Sequence, residues 1–342
     1  MTDLTYTPAV AERTAAIFEK VRDSVTEVEW PLLAPVIDEI NRLKRERNAV
    51  ILAHNYMRPE IFHGVADITG DSLALARKGA ETDAEVIVMA GVHFMAETAK
   101  VLSPEKTILI PDMRAGCSLS ESITADDMRA LRAKYPGVPI VVYVNTSAEV
   151  KAEADICCTS GNAVEVVESL GVPQVIMAPD KYLAAYVQSK TKVKIIAYDG
   201  ACEVHEQYTA ADIADIRASF DGDITVIAHP ECPEDVIAAA DFAGSTAQMA
   251  DFVAEHAPKR VLLVTECSMG DNLIAQAPKT EFVRTCHMCP HMKRISLDNI
   301  LRSLQTLEPR VEIDPAIIPR ARQSVERMLI VKRNAPIEVA AE

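Results

Sequence analysis

Short apolar runs alternate with helical patterns from Asn48 onwards. The run Val50–His54 is representative, since it is almost continuously apolar and is followed by a loop and a helical pattern. Such runs are typical of strands buried on both faces, and their alternation with helices predicts parallel sheets covered by helices. Before residue 48 and after Met292 only helical patterns are present. The chain is therefore predicted to be an α/β protein with helical segments at both ends.

The predicted elements follow one another closely. The predicted strands are 50–54, 85–91, 107–111, 138–145, 155–159, 174–178, 194–198, 223–229, 241–242, 260–265 and 281–283. The helices predicted between them are 72–79, 94–102, 163–170, 181–189, 234–239, 246–256 and 272–277. An apolar stripe at Leu297, Ile300, Leu301 and Leu304 predicts a further helix. The last helix is predicted to begin at the cap Asp314-Pro315 and to reach about Val331, and 333–342 is predicted to be frayed.

The strand–helix pattern recurs in three rounds of similar length. Each round opens with a strand that ends in polar residues, within 53–56, 143–145 and 228–231. Ligands of open α/β sheets bind at the carboxyl ends of the strands. We predict three pseudo-repeated three-layer αβα domains with short parallel sheets. The predicted domains are 1–134 (N-terminal helices and first unit), 135–216 (second unit) and 217–342 (third unit and C-terminal helices).

Three cysteines recur at nearly equal intervals. Cys117, Cys202 and Cys289 each lie in a Gly- or Pro-marked loop just past the last strand of a round. Three thiolates brought together would suit an iron–sulfur cluster with one free iron, or a zinc site completed by histidine or water. Three unrelated thiols remain the alternative. Cys286 and Cys289 also form a Cys-x-x-Cys pair, which is typical of a redox couple or half of a zinc site.

Other polar residues at strand ends are candidates for binding and proton transfer. Six of them, at strand ends or beside a cysteine, are His54, Tyr56, Tyr143, His205, His229 and Glu231. Glu231 suits an acid or base if it is partly desolvated. The segments 70–72, 159–162 and 243–246 each precede a helix. They are predicted helix caps, and the same amides and hydroxyls suit carboxylates and phosphates.

Composition and charge narrow the function classes. The 342 residues are 49% hydrophobic and 25% charged, which is typical of a globular protein. A net charge of −15 argues against nucleic-acid binding. No apolar stretch is long enough to cross a membrane, and the first residues do not resemble a secretory signal, so we expect a cytoplasmic protein. Eight cysteines in such a chain are not expected to form a disulfide framework, and Cys157 and Cys158 are expected to be core residues.

A series of short motifs in one order resembles the quinolinate synthase family (quinolinate synthetase A) of de novo NAD biosynthesis. The motifs lie at 53–56, 70–73, 91–98, 115–119, 142–145, 158–160, 200–205, 229–232, 243–246 and 289–292. The resemblance implies a central cavity between the three domains and a [4Fe–4S] cluster held by Cys117, Cys202 and Cys289. The fourth iron would be open and would act as a Lewis acid. No redox turnover would be required.

The resemblance also implies a reaction and a set of site residues. Iminoaspartate (iminosuccinate) and dihydroxyacetone phosphate would condense to quinolinate with loss of phosphate and water. An aspartate-oxidising enzyme is the implied supplier of iminoaspartate. The residues implied for substrate binding are His54, Ser72, Tyr143, Asn145, Ser160, His229, Glu231, Ser245 and Thr246. Those implied for catalysis are Tyr56, Glu231, His229 and His205, with His205 close to the cluster.

Two departures from the family pattern concern thiols outside the implied ligand set. Cys267 stands where many members have an aliphatic residue, and Cys289 has one companion, Cys286, where some members have two. A thiol-switch role is therefore not carried over. The alternative from a different class is an iron–sulfur or thiol sensor without turnover, which would need no dense polar pocket. A zinc-dependent hydrolase would need a His/Asp ligand set that these motifs do not supply.

Overall fold

The computed structural model describes residues 4–331, and the segment 333–342 that is predicted to be frayed lies outside them. Within this range no helix combines the length and the apolar composition that spanning a membrane requires. The chain divides into two compact units. Unit 1 comprises the described parts of Met1–Gly116, Glu266–Pro278 and Met288–Glu312, and unit 2 those of Cys117–Thr265, Lys279–His287 and Ile313–Glu342.

Residues 4–331 contain sixteen α-helices. The first eight are α1 (Pro8–Val21), α2 (Trp30–Glu46), α3 (Pro59–Phe62), α4 (Ser72–Glu81), α5 (His93–Leu102), α6 (Ser118–Glu121), α7 (Ala125–Lys134) and α8 (Ala148–Ala152). The others are α9 (Ala163–Ser169), α10 (Lys181–Lys190), α11 (Ala210–Ser219), α12 (Glu234–Ala239), α13 (Thr246–His256), α14 (Ser268–Ile274), α15 (Leu297–Thr306) and α16 (Ile318–Ile330). Two short 3-10 helices lie at His205–Gln207 and Met292–Arg294.

Twelve strands in the described range form three parallel sheets of four strands each. Sheet 1 contains β1 (Ala49–His54), β2 (Ile68–Gly70), β3 (Val86–Ala90) and β4 (Thr107–Leu109). Sheet 2 contains β5 (Ile140–Tyr143), β6 (Ile156–Cys158), β7 (Gln174–Ala178) and β8 (Lys194–Ala197). Sheet 3 contains β9 (Thr225–Ala228), β10 (Phe242–Ala243), β11 (Arg260–Val264) and β12 (Glu281–Val283).

The three sheets share one topology. In each, the first strand along the chain pairs with the second on one side and the third on the other, and the fourth pairs with the third. All nine pairings are parallel. The predicted α/β class with three pseudo-repeated three-layer αβα units and short parallel sheets is therefore confirmed. The domain boundaries at 134/135 and 216/217, and a central cavity, stay predictions.

Unit 1 contains sheet 1 and the helices that cover it. Helix α2 packs on α1, on α15 and on β1, and it begins at Trp30, whose ring lies 5.1 Å from that of Phe18. The buried face of α15 includes Leu297, Ile300, Leu301 and Leu304. The apolar stripe of the sequence is therefore the face by which this helix joins the core.

Unit 2 contains sheets 2 and 3. Helix α16 packs against α8 and β6, where Cys157 is fully buried with its Sγ 3.4 Å from Ser324 Oγ. Cys158 is also fully buried, so both members of this pair are core residues as expected. Sheet 3 has an apolar cluster of its own around Val226, Val236 and Leu262. Burial of this kind stabilises by about 25 cal/mol per Å² of apolar surface removed from water.

Several predicted elements differ from the structure. Strand β2 was not predicted, because three residues with one exposed member give no clear period. Helix α14 begins at Ser268 rather than 272, since the buried Glu266 carboxylate accepts the Ser268 amide at 2.9 Å and starts the turn there. The cap predicted at Asp314-Pro315 begins only a turn, and α16 starts at Ile318 with Pro319 in its first turn. Helices α7 and α11, each with a single buried residue, were also missed.

Candidate active site

Glu231 is the centre of a buried polar cluster in unit 2. The residue follows β9 and is 3% exposed. Its carboxylate accepts the Tyr143 hydroxyl at 2.5 Å, and its other oxygen lies 2.9 Å from Nδ1 of His205. Burial by itself would raise the pKa of Glu231, but its electrostatic interactions with His229 and His205 and the hydrogen bonds from His205 and Tyr143 outweigh it and lower that pKa. The carboxylate is therefore ionised at neutral pH.

The contacts of His205 and His229 fix their orientation. The two rings stack with centroids 4.7 Å apart. An ionised carboxylate only accepts, so Nδ1 of His205 donates to Glu231, and Nε2 lies 2.9 Å from Thr265 Oγ1. The Glu231 amide donates to Nδ1 of His229 at 3.4 Å, which places the proton of the neutral ring on Nε2, 3.2 Å from Ser160 Oγ. The ring proton of His229 thus points at a hydroxyl.

Tyr143 and Asn145 come from the carboxyl end of β5. Burial, followed by the Glu231 charge, raises the pKa of Tyr143 well above its ordinary value, so the phenol keeps its proton at neutral pH. Asn145 Oδ1 is buried and accepts no hydrogen bond from the residues that the structure describes. A buried amide oxygen without a partner is costly unless a ligand or water supplies a donor. Both side chains thus offer hydrogen-bonding groups at one strand end.

Cys202 and Cys117 lie on loops that are joined within unit 2. Ser118 Oγ accepts the Glu203 amide at 3.1 Å and lies 3.5 Å from the Ala201 carbonyl. Burial, followed by the charges of Glu231 and Cys117, raises the pKa of Cys202 well above its ordinary value. Cys202 Sγ lies 3.2 Å from Nδ1 of His205, and a sulfur, an imidazole nitrogen and a carboxylate oxygen from Cys202, His205 and Glu231 lie within 4.8 Å of one another. This group has the donor types of a metal site.

The loop of Cys202 approaches another loop at Gly200. The Gly200 amide donates to the Pro179 carbonyl at 2.9 Å, and the Gly200 carbonyl accepts from Lys181. A Cβ at position 200 would lie 2.6 Å from the Pro179 oxygen and 2.7 Å from Ser122 Oγ. The backbone carbonyl cannot rotate away without breaking the pairing. Only glycine therefore fits here, two residues before Cys202.

We expect Gly200→Ala to destabilise the protein by about 1–3 kcal/mol, the usual cost of forcing an extra carbon into a packed site. The loop shift should also reduce the iron content of the purified protein, which elemental analysis measures alongside Tm. Gly171→Ala is the matched control in unit 2. Its φ of +61° makes alanine strained, by about 1–2 kcal/mol, yet no atom lies within 4 Å of the added carbon. Equal iron loss in the two variants would contradict the steric argument.

Asp180 is a buried acid that sequence analysis passed over. It follows β7 and is 1% exposed. One carboxyl oxygen accepts the amides of Tyr182 and Leu183 at 2.8 and 3.0 Å, whereas Oδ2 is buried with no hydrogen-bond partner among residues 4–331. Burial, followed by the charge of Glu231, raises the pKa of Asp180 well above its ordinary value. Unit 2 therefore holds two buried carboxyl groups of different character: Glu231 is ionised, and Asp180 is more readily protonated.

Ser245 and Thr246 lie at the carboxyl end of β10, beside that of β9. The Gly244 amide donates to the Ala228 carbonyl, and Ser245 is the N-cap of α13 in a capping box with Gln248. Both residues are almost fully buried. The predicted cap is thus present, and it places two hydroxyls and the first amides of an eleven-residue helix together.

Unit 1 has a similar arrangement around β1. His54 ends the strand, and its Nδ1 accepts the Tyr56 amide at 3.2 Å, which places the proton of the neutral ring on Nε2. The rings of His54 and Tyr56 meet edge-on, with centroids 4.6 Å apart. The Asn55 amide donates to the Gly70 carbonyl at the end of β2, which brings this loop beside the start of α4 at Ser72.

Cys289 is half-buried in unit 1 beside a buried ion pair. Burial raises the pKa of Cys289, and the amides of Met292 and His291 oppose the shift. Its own amide donates to Glu266 Oε1 at 3.4 Å, and that oxygen lies 2.6 Å from Nζ of Lys293. All eight cysteines lie in the described range, and none of them forms a disulfide bond there.

The fold and the site define a class: an α/β enzyme built from three repeated parallel sheets with polar and thiol groups at the strand ends. Comparison with known proteins gives the family. The model of the family described as Quinolinate synthetase A protein matches residues 38–330. Quinolinate synthase 1 of Mesorhizobium japonicum is 61% identical over 323 residues, which cover 94% of this chain and 99% of that protein.

Two further similar proteins carry the same name, quinolinate synthase. The quinolinate synthase of Caulobacter vibrioides is 58% identical over 328 residues, 95% of this chain and 89% of that protein. The one from Xylella fastidiosa is 63% identical over 295 residues, 86% of this chain and 87% of that protein. The chain belongs to the quinolinate synthetase A family. The predicted family and the prediction of an enzyme are thus confirmed, while the roles of individual residues stay predictions.

The predicted site residues are distributed over the two units, and Cys117, Asn145, Ser245 and Thr246 belong to unit 2. In unit 2, direct contacts join Tyr143, Ser160, Cys202, His205, His229 and Glu231. Unit 1 holds His54, Tyr56, Ser72 and Cys289. Asp180, Thr265 and Glu266 were missed, although each follows the third strand of a sheet. The repeat itself carries that signal, because polar residues follow the first strand of each round and a cysteine follows the last.

Proposed function

We propose that the protein condenses iminoaspartate with dihydroxyacetone phosphate to form quinolinate, with release of one phosphate and two waters. The observation that carries the proposal is the buried cluster of Tyr143, His205 and His229 around the Glu231 carboxylate, in contact with Cys202 through His205. The reaction must move protons at several carbons and hold two carboxylates and a phosphate. The expected product is inferred from the names of the relatives, which are called quinolinate synthase.

Cys117, Cys202 and Cys289 would hold a [4Fe–4S] cluster. The donor set fits, because none of the three forms a disulfide and two of them lie on loops joined through Ser118. Thiolates are the ligands that such clusters use. The raised pKa values of Cys202 and Cys289 keep the thiols protonated until metal binds. When bound, the cluster would supply an open iron that polarises substrate oxygen or nitrogen as a Lewis acid.

The substrate anions would be bound at the ends of the first and second strands of the sheets. Ser160, Ser245 and Thr246 offer hydroxyls at the starts of α9 and α13, and Ser72 does so at α4. Helix starts of this kind favour carboxylates and phosphates. Further donors and acceptors are His54, Tyr143, Asn145, His229 and Glu231. The buried Oδ1 of Asn145 is suited to accept a hydroxyl or imine proton.

Proton transfer is assigned to Tyr56, Glu231, His229 and His205. Glu231 is ionised and buried, so it can accept a proton from carbon where water is excluded. The Nε2 proton of His229 faces the Ser160 hydroxyl, where it can stabilise a developing oxyanion. His205 orients Glu231 through Nδ1 and lies against Cys202.

The proposed cellular setting follows from the substrates and the thiols. Iminoaspartate must be supplied by a reaction that oxidises aspartate, so an aspartate-oxidising enzyme is the expected partner. Eight cysteines without a disulfide among the described residues suit the reducing cytoplasm, which is the proposed compartment.

The decisive experiment is anaerobic purification followed by iron and sulfide analysis and a quinolinate assay. We expect about four irons and four sulfides per chain, and quinolinate formation that needs both iminoaspartate and dihydroxyacetone phosphate. Protein stripped of iron with a chelator is the control and should be inactive until it is reconstituted. Iron without quinolinate formation would favour a sensor, and activity without iron would contradict the cluster.

A further inference from the structure

The loop that follows β1 is held by side chains from other segments of unit 1. The side-chain amide of Asn272 donates to the carbonyls of Asn55 and Met57 at 2.9 and 2.7 Å. The Lys293 ammonium donates to the carbonyl between them, that of Tyr56, at 2.7 Å. Three consecutive carbonyls thus each accept a bond from a side chain. Because peptide groups are planar, these bonds fix the backbone on both sides of Tyr56.

Lys293 also belongs to a buried ion pair. Its Nζ lies 2.6 Å from Glu266 Oε1 and 2.8 Å from Ser268 Oγ. The Glu266 side chain is 0% exposed and that of Lys293 is 11% exposed. The same carboxylate accepts the Cys289 amide at Oε1 and the Ser268 amide at Oε2. One ion pair therefore joins the segment of Tyr56 to that of Cys289.

A buried ion pair contributes little net stability, because the cost of removing two charges from water largely cancels their attraction. Its directional bonds do fix geometry, and residues behind metal ligands commonly set ligand orientation. We propose that Glu266 and Lys293 are positioning residues, which hold the backbone of Cys289 for cluster binding and orient Tyr56 for proton transfer. This inference rests on the proposed function.

The test compares wild type with Lys293→Met and with the doubly neutral variant Glu266→Gln/Lys293→Met. In the single variant the Glu266 carboxylate loses its cation, so Tm should fall. The double variant removes both charges and should recover most of that Tm. We expect both to lose turnover by about 10–100-fold, to bind less iron and to show an altered electron paramagnetic resonance spectrum of the reduced cluster. A purely stabilising role predicts instead that turnover and spectrum recover together with Tm.

Lys44 provides a matched control in the same unit. Its Nζ likewise contacts a carbonyl, that of Val65 at 2.6 Å, and a carboxylate, that of Asp67 at 2.7 Å. Asp67 directly precedes β2, so this pair lies at the amino end of sheet 1, whereas Tyr56 follows the carboxyl end of β1. We expect Lys44→Met to lower Tm and to leave the iron content, the spectrum and kcat unchanged.

A double-mutant cycle with Tyr56→Phe tests the link to Tyr56. If Lys293 acts through Tyr56, the losses of turnover in Tyr56→Phe and Lys293→Met combine less than additively. If wild type forms quinolinate and both Lys293 variants show the turnover and the spectrum of wild type, the proposal is overturned. If wild type forms no quinolinate, the proposed function is wrong. The iron content and the spectrum of the variants then still test whether Glu266 and Lys293 position Cys289.

Discussion

Cys202→Ser is expected to purify without most of its iron and to form no quinolinate above background. A serine hydroxyl keeps the size of the side chain but does not supply the thiolate that iron–sulfur clusters need. The Cys202 thiol is free and lies against His205, on a loop tied to that of Cys117. Elemental iron, labile sulfide and the visible absorption of anaerobic protein measure the loss.

Cys286→Ser is the matched control for Cys202→Ser. This exposed thiol lies three residues from Cys289 and is not among the proposed ligands. We expect full iron content and turnover in this variant. Both variants should unfold near the Tm of iron-free wild type once iron is stripped, which separates ligand loss from misfolding. A Cys202→Ser protein with full iron, or with wild-type turnover, would remove Cys202 from the ligand set.

Much of the fold could be predicted because its strands are buried and continuous. The run Val86–Ala90, for example, is buried at every position, and the strand was predicted within one residue at each end. The threefold pattern could be predicted for the same reason, since each sheet opens with such a strand. Strand β2 gives no such signal, because its three residues are partly exposed and pair only along one edge of β1.

The predicted residues of the site come from local signals: polar residues at the end of the first strand of each round, predicted helix caps, and a cysteine after the last strand. Polar residues at carboxyl ends, such as His229 and Glu231, are visible because a buried strand ends abruptly in them. Asp180 and Glu266 occupy equivalent places after third strands, yet each reads locally as an ordinary helix-starting acid. Their burial, and the ion pair of Glu266 with Lys293, depend on contacts between segments distant in sequence.

The cysteines also show that local sequence patterns do not predict contacts between distant segments. The nearly equal intervals of Cys117, Cys202 and Cys289 distinguish them in the sequence from Cys157 and Cys158, whose place in β6 makes them core residues. What the intervals cannot supply is the pairing of His205 with Cys202 and Glu231. His205 begins a 3-10 helix and contacts Glu231 beyond the end of β9, and no periodic pattern marks such a contact.

Glu231→Gln is expected to lower kcat on the order of 10²–10⁴-fold, the usual share of a general acid or base. The amide has nearly the shape of the carboxylate, but it carries no charge and has only one acceptor oxygen. It can therefore accept from Tyr143 or from His205, not from both, and one buried donor loses its partner. That loss should lower the free energy of unfolding by about 1–3 kcal/mol, which is detected as a decrease in Tm.

Two further variants make the Glu231 test specific. Glu234→Gln removes an exposed carboxylate three residues away and should change neither kcat nor Tm. Tyr143→Phe removes a hydrogen bond to Glu231 but leaves its charge and its contact with His205, so we expect a smaller loss of kcat than in Glu231→Gln. Iron content should match wild type in all three, because none removes a proposed ligand. An iron-replete Glu231→Gln protein with wild-type kcat would show that the buried carboxylate orients its neighbours without moving a proton.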